Sequence, residues 1–350
     1  MKTIHVSASK EYDVLIGGGL LSRAGEEIRK VSSAKAAAIV TDDTVWCHYG
    51  EKVKQSLEES GFSVSAFTFP HGEASKTLAT YGEILQFLAE NHLTRSDLVV
   101  ALGGGVPGDM AGFAAATYLR GIDYVQIPTT LLAAVDSSVG GKTAVDLPSG
   151  KNLAGCFHQP SLVLCDTDTF RTLPAEQFRS GMAEVIKYGV LGDAAFFDYL
   201  AAPTLRMTEL IARCVEMKRD IVGEDEFESG KRRLLNFGHT VGHAVEKSKN
   251  FALSHGEAVA VGMAVITRAA VEMGICESNT LERLLALLQQ FDLPSETDCT
   301  AEEIFNAALS DKKISGGMLH LVVPERIGSC RVEKIPAERF RDWLRAGGVQ

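Results

Sequence analysis

The stretch LVVALGGGVPGDMAG, residues 98–112, decides how this chain is read. Five apolar residues have the length and bounds of a buried strand, three glycines end it, and the segment that follows opens a helix. Gly103, Gly105 and Gly108 fit G-x-G-x-x-G in the strand–turn–helix context that the dinucleotide fingerprint requires. Without Cβ atoms, such a turn lets a pyrophosphate approach the backbone N–H groups and the N-terminus of the helix. The fingerprint usually opens the first βαβ unit and is followed by an acid about 20 residues on. Here it lies deep in the chain, and the strand-end acids Asp42 and Asp43 precede it. The expected variant places a ribose near Asp42 and the pyrophosphate at Gly104–Gly105.

On either side, the first 173 residues alternate apolar runs with amphipathic stretches. KAAAIVTDD (35–43), FSVSAFTF (62–69), DYVQIPTTLLAAVDSS (123–138) and SLVLCD (161–166) read as strands. EKVKQSLEESG (51–61) and KTLATYGEILQFLAEN (76–91) read as helices. Alternation of this kind predicts an α/β domain over 1–173 with a largely parallel, Rossmann-like sheet. From Ala175 to about Leu293 nearly everything carries a 3.6-residue period, which predicts a helical second domain over 174–350. Two domains also suit 350 residues, because single cores stop growing at about 250–300.

A net charge of −10 argues against a nucleic-acid surface, and no apolar run reaches the ~18 residues of a membrane span. Seven scattered cysteines without C-x-x-C suit reduced thiols, and the N-terminus shows no secretory h-region, so a cytoplasmic location is expected.

Several polar residues sit where bland sequence would not put them. Asp136, Lys142, Lys151 and Asn152 lie among small residues in AAVDSSVGGKTAVDLPSGKN (133–152), a setting suited to a phosphate or carboxylate. Arg120 in YLRG has the same character. Glu184 and Lys187 share a helix face, and Lys218 lies on the apolar side of its helix with Ile211 and Cys214. On helical geometry Arg232, Asn236, His239 and His243 step by 4, 3 and 4, so all four lie on one stripe, with Gly238 and Gly242 allowing another element to pack close. The zinc-protease pattern H-E-x-x-H is excluded by Thr240. His255 stands at the mouth of a long apolar helix. One carboxylate and two imidazoles would make a zinc site with an open position, but spacing leaves open which two of the three histidines bind.

These motifs together resemble the 3-dehydroquinate synthase family. The similarity runs in order through YDVLIGGGLL, GEASKT, GGGVPGDMAGFAAATYLRG, IPTTLLAAVDSSVGGKTAVD, GKNLAGCFHQP, GMAEVIKYG, LLNFGHTVGHAVE, SHGEAVAVGM and the late DKK. The resemblance implies a homodimer that binds NAD and zinc or cobalt. It implies zinc ligands at Glu184, His239 and His255, and makes His243 a proton-handling group near the substrate phosphate. Substrate contacts would fall on Arg120, Asp136, Lys142, Asn152, Lys187, Lys218, Arg232 and Asn236, with Lys312 or Lys313. NAD contacts would fall on Asp42, Glu73, Lys76, Gly104, Gly105, Val106, Asp109, Thr129, Thr130, Lys142, Lys151, Thr172 and Gln177. The implied reaction turns 3-deoxy-D-arabino-heptulosonate 7-phosphate into 3-dehydroquinate and phosphate through oxidation, elimination, reduction and aldol closure. Pro107, where the family often carries an aliphatic residue, removes one loop N–H and should affect NAD affinity modestly at most. Rival readings are a sister sugar-phosphate cyclase and a metal-dependent polyol dehydrogenase of the glycerol dehydrogenase type; a non-catalytic binding protein would leave Lys142, Lys187 and Lys218 unexplained.

Overall fold

A computed structural model describes residues 1–249, 252–309, 314–315 and 317–350. In chain order, the first stretch contains β1 (Lys2–Val6), β2 (Tyr12–Gly17), α1 (Ala24–Val31), β3 (Ala36–Asp42), the turn α2 (Asp43–Val45), α3 (Glu51–Glu59), β4 (Ser63–Phe69), α4 (Leu78–Glu90), β5 (Leu98–Gly103), α5 (Gly105–Thr117), β6 (Asp123–Pro128), β7 (Lys142–Leu147), β8 (Gly150–Phe157) and β9 (Leu162–Asp166). The second contains α6 (Ala175–Gly192), α7 (Ala194–Leu200), α8 (Met207–Glu224), α9 (His239–Ser248), α10 (His255–Glu272), α11 (Ser278–Gln290), α12 (Ala301–Leu309), β10 (Ile314–Ser315), β11 (Met318–Arg326), β12 (Ser329–Pro336) and α13 (Phe340–Ala346).

Two compact units result. The first comprises Met1–Leu173 and Met207–Phe227, the second Pro174–Arg206 and Glu228–Gln350. Periodicity alone groups residues 207–227 with the helical half, yet their contacts tie them to the first unit. Lys2 Nζ donates to Glu209 at 2.5 Å, and the Glu226 carboxylate accepts from Ser9 N (2.8 Å), Ser9 Oγ (2.6 Å) and Gln159 Nε2 (2.8 Å).

The first unit is built on a seven-stranded sheet in the order β1-β2-β9-β6-β5-β3-β4, parallel throughout except for the antiparallel edge strand β1. Central strands such as β5 are buried along their whole length, as continuous apolar runs in a sheet covered on both faces should be. Ile28, Val53 and Leu57 from α1 and α3 pack on one face, and Ile84, Leu88, Met110 and Ala114 from α4 and α5 on the other. After β4 the chain returns across β3 to form β5, so the direction of winding reverses between β3 and β5. The carboxyl ends of those two strands flank the crevice in which sheets of this kind bind ligands. Only DYVQIP of the run 123–138 is strand. LLAAVDS turns helical, because an apolar run has no period that separates the two states.

The second unit is helical around α10, whose residues from Gly256 to Ala270 are almost all buried. It also contains the antiparallel sheet β10-β11-β12, which the sequence reading did not anticipate. Among the described residues no helix is long and apolar enough to cross a membrane.

Candidate active site

In the first unit several of the predicted cofactor residues lie at the switch between β3 and β5. Gly103 ends β5 with φ +148°, and a Cβ there would lie 2.6 Å from Pro107 Cγ, so the proline ring itself fills the space the glycine leaves. Gly104 precedes α5 with no side chain capping the helix, which leaves the first-turn N–H groups of Gly105 and Val106 to a ligand. Thr129 N–H donates to Gly103 O at 2.9 Å, and the Thr130 methyl lies 3.0 Å from where a Cβ on Gly104 would be, so both threonines border the loop. Asp42 ends β3, beside β5, and its carboxylate accepts from Val45 N at 2.8 Å. Burial, reinforced by the Asp43 charge, raises its pKa above the usual range.

A second cluster adjoins the first turn of α5. The Lys76 ammonium, 4% exposed, donates to Asp109 Oδ2 and to Asn152 Oδ1, both at 2.6 Å. Burial opposes its charge, but Asp109 and Glu73 outweigh that and hold its pKa above the ordinary lysine value. Lys218, which the sequence marked as odd, is buried and ion-paired with Asp136, and also donates to the Asp136 carbonyl at 2.7 Å. Lys142 begins β7 and is exposed, whereas Lys151 in β8 is half-buried. Thr172 contacts Tyr49, and Gln177 is an exposed residue of α6 in the second unit. Arg120 is not brought to these groups. It stands exposed beyond the far end of α5, about 20 Å from the glycine loop by helix rise. Its backbone there is left-handed, as are those of Leu119 and Gly121.

In the second unit close backbone approaches assemble a set of side chains that could hold a metal ion. Ser254 caps α10 in a capping box with Glu257, Ser254 N–H donating to Glu257 Oε2 at 2.9 Å, so His255 is the first helical residue. Gly256 lies against α6: a Cβ would be 2.1 Å from Ser180 O, one turn before Glu184. Gly262 lies against α9 in the same way, a Cβ falling 1.9 Å from Gly238 O. These contacts bring Glu184, His239 and His255 together. Glu184 Oε1 is 3.1 Å from His255 Nε2 and 3.4 Å from His239 Nε2, and its other oxygen meets Lys187. Donors held about 2.0–2.1 Å from a tetrahedral zinc stand about 3.4 Å apart, so the set has the right spacing for a divalent ion.

The outer partners agree. His239 Nδ1–H donates to Phe237 O at 3.0 Å and His255 Nδ1 faces the Glu246 carboxylate at 3.4 Å, so Nε2 of each ring is the nitrogen turned to Glu184. His255 is partly buried, which opposes its charge, but Glu184 and Glu246 raise its pKa to about 10, so the pocket favours positive charge. His243, Glu246 and His255 also converge, within 4.8 Å, but that set needs the His255 nitrogen turned to Glu246. The His243 ring lies 5.3 Å from that of His239, beside the proposed ligands.

The stripe from Arg232 to His243 is not one continuous helix. Lys231–Asn236 is a 3-10 turn, and Gly238 at φ +79° breaks the path before α9. Arg232 is 1% exposed, and Asn236 Nδ2 donates to Glu228 Oε1 at 2.6 Å. Glu228, missed from the sequence, is hidden in the acidic run GEDEFESGK; its left-handed backbone, φ +60°, is the signal that singles it out. Lys312 and Lys313 lie outside the described residues.

Comparison with known proteins gives the arrangement its relatives. Residues 66–180 match the 3-dehydroquinate synthase N-terminal family model and residues 181–314 the C-terminal one. The 3-dehydroquinate synthase of Caulobacter vibrioides (strain NA1000 / CB15N) is 47% identical over 352 residues, 95% of each chain. The chain belongs to the 3-dehydroquinate synthase family. Other members of the wider cyclase group share its structure. A 2-epi-5-epi-valiolone synthase from Streptomyces hygroscopicus subsp. jinggangensis 5008, with NAD+ and Zn2+ bound, is 30% identical with a TM-score of 0.86, covering 98% of this chain and 99% of that one. A 2-deoxy-scyllo-inosose synthase complexed with carbaglucose-6-phosphate, NAD+ and Co2+ is 26% identical with a TM-score of 0.87, at the same coverage.

Proposed function

We propose that this chain converts 3-deoxy-D-arabino-heptulosonate 7-phosphate to 3-dehydroquinate and inorganic phosphate, using NAD and one zinc or cobalt ion. The observation that carries this is the Glu184–His239–His255 donor set at tetrahedral spacing, in a chain whose other unit has a glycine loop at its switch point. A divalent ion held by Glu184, His239 and His255 would supply Lewis acidity toward a substrate hydroxyl, and NAD at the glycine loop would supply reversible hydride transfer with no net oxidation.

The chain's own groups divide the remaining work. Gly104, Gly105 and Val106 offer backbone N–H groups to the NAD pyrophosphate, with Asp42 at the ribose and Glu73, Lys76, Asp109, Thr129, Thr130, Lys142, Lys151, Thr172 and Gln177 as further contacts. Lys142, Asn152, Lys187, Lys218, Arg232 and Asn236 are the chain's contacts for the substrate's anionic groups and hydroxyls. Asp136 fixes the Lys218 ammonium, as their ion pair requires. His243 handles a proton at the phosphate end. Lys312 or Lys313 adds to the phosphate side. The first unit is thus the nucleotide-binding half and the second the metal-binding half.

We propose a cytoplasmic, reducing setting, which scattered cysteines without a C-x-x-C pair suit. We propose that the enzyme works as a homodimer. The substrate assignment is tested with three sugar phosphates. Heptulosonate 7-phosphate, which alone among them carries a carboxylate, should be turned over. Sedoheptulose 7-phosphate and glucose 6-phosphate should release no phosphate; turnover of either in its place would move the chain to a sister activity.

A further inference from the structure

The β7–β8 hairpin contains an irregularity whose purpose is visible in its hydrogen bonds. The register shifts between Val145 and Leu147, so Asp146 drops out of the ladder. Bulges of this kind re-aim a side chain. Asp146 N–H donates instead to Lys76 O at 2.8 Å, and the Asp146 carboxylate turns back to accept Asn152 N–H at 2.7 Å. Asn152 itself sits inside β8 with φ +54°, a left-handed conformation that non-glycine residues adopt at a cost and that asparagine tolerates better than most. Its side-chain oxygen accepts from Lys76 Nζ at 2.6 Å, which orients the amide. Backbone to backbone, carboxylate to backbone and ammonium to amide, the three contacts close a ring through Lys76, Asp146 and Asn152.

We propose that Asp146 is a positioning residue: its carboxylate oxygen holds the left-handed backbone of Asn152 so that the amide is preset for the substrate. The proposal rests on Asn152 as a substrate contact. What the geometry requires at 146 is an acceptor at the reach of Asp Oδ1. An amide oxygen supplies that acceptor without the charge, through a weaker bond than an ionised carboxylate makes. The nearby Glu73 carboxylate, which with burial raises the Asp146 pKa, already disfavours charge there.

The test compares Asp146→Asn, Asp146→Ala, Asn152→Ala and the double variant Asp146→Ala/Asn152→Ala in the NAD- and metal-loaded enzyme. Asp146→Ala should raise KM for the heptulosonate phosphate about tenfold, the scale of one hydrogen bond. The NAD+ Kd should stay within about threefold of the parent. Asp146→Asn should restore the parent KM, and the double variant should be no worse than Asn152→Ala alone. If Asp146→Ala gives no folded protein, Asp146→Ser, whose oxygen is too short to reach, replaces it. Additive losses, an Asp146→Asn enzyme as impaired as Asp146→Ala, or an unimpaired Asp146→Ala beside an impaired Asn152→Ala would each overturn the positioning role alone. An unchanged KM in Asn152→Ala would instead remove Asn152 from the substrate site, and the proposal with it.

Discussion

Replacing Gly262 with alanine tests whether close helix packing builds the metal centre. In the native chain α10 meets α9 backbone to backbone, and the new Cβ would lie 1.9 Å from Gly238 O and 2.9 Å from Gly242 N, where ordinary contact begins at 3.4 Å. The obstructing atoms are main chain, so no rotamer relieves them, and the helices must part by about 1.5 Å. Overpacking of this kind costs about 1–3 kcal/mol, and a backbone clash belongs at the upper end. A drop in Tm of about 5 °C or more should follow. The consequence for the metal is larger, because α9 carries His239, α10 carries His255, and ligand distances tolerate only about 0.2 Å. Metal content after gel filtration against a weak chelator should fall well below the parent's. Gly82→Ala, inside α4 with nothing within 4 Å of the new methyl, is the control and should gain about 0.5–1 kcal/mol. A Gly262→Ala protein with parental Tm and full metal content would refute the packing argument.

His239→Ala should lose tightly bound metal, whereas His243→Ala should keep it and lose rate; equal metal loss in both would overturn that split, and loss in His243→Ala alone would favour the overlapping His243–Glu246–His255 set. Stability should fall on acidification through a half-buried imidazole. Burial lowers the His158 pKa, only partly opposed by its contact with the Ile122 carbonyl at 3.0 Å. As pH drops through about 6.5 the unfolded chain takes up a proton that the folded chain does not, so folding free energy declines. Urea unfolding between pH 7.5 and 5.5 should show this slope, and His158→Gln should flatten it; an unchanged slope would count against the assignment.

The glycine loop and its strand were readable at the outset because both signals are local: an apolar run, then residues without Cβ. Lys218 was readable as well, since an ammonium on the apolar side of a helix needs a buried partner, and Asp136 is that partner. What escaped is tertiary. The path from Arg232 to His243 looks continuous in its spacing, and only the left-handed Gly238 reveals the break. Nothing in the period of α8 distinguishes a helix of the second unit from one clamped to the first by Glu209 and Glu226. Spacing does not choose among the three histidines, which only the family resemblance does, and Glu228 shows itself through a backbone angle.

The most direct measurement follows phosphate and NADH together in one reaction containing the purified chain, NAD+, Zn2+ and heptulosonate 7-phosphate. The account predicts many equivalents of phosphate per enzyme with NADH never exceeding the enzyme concentration. NADH rising in step with substrate consumed, without phosphate, would contradict it and make the chain a dehydrogenase.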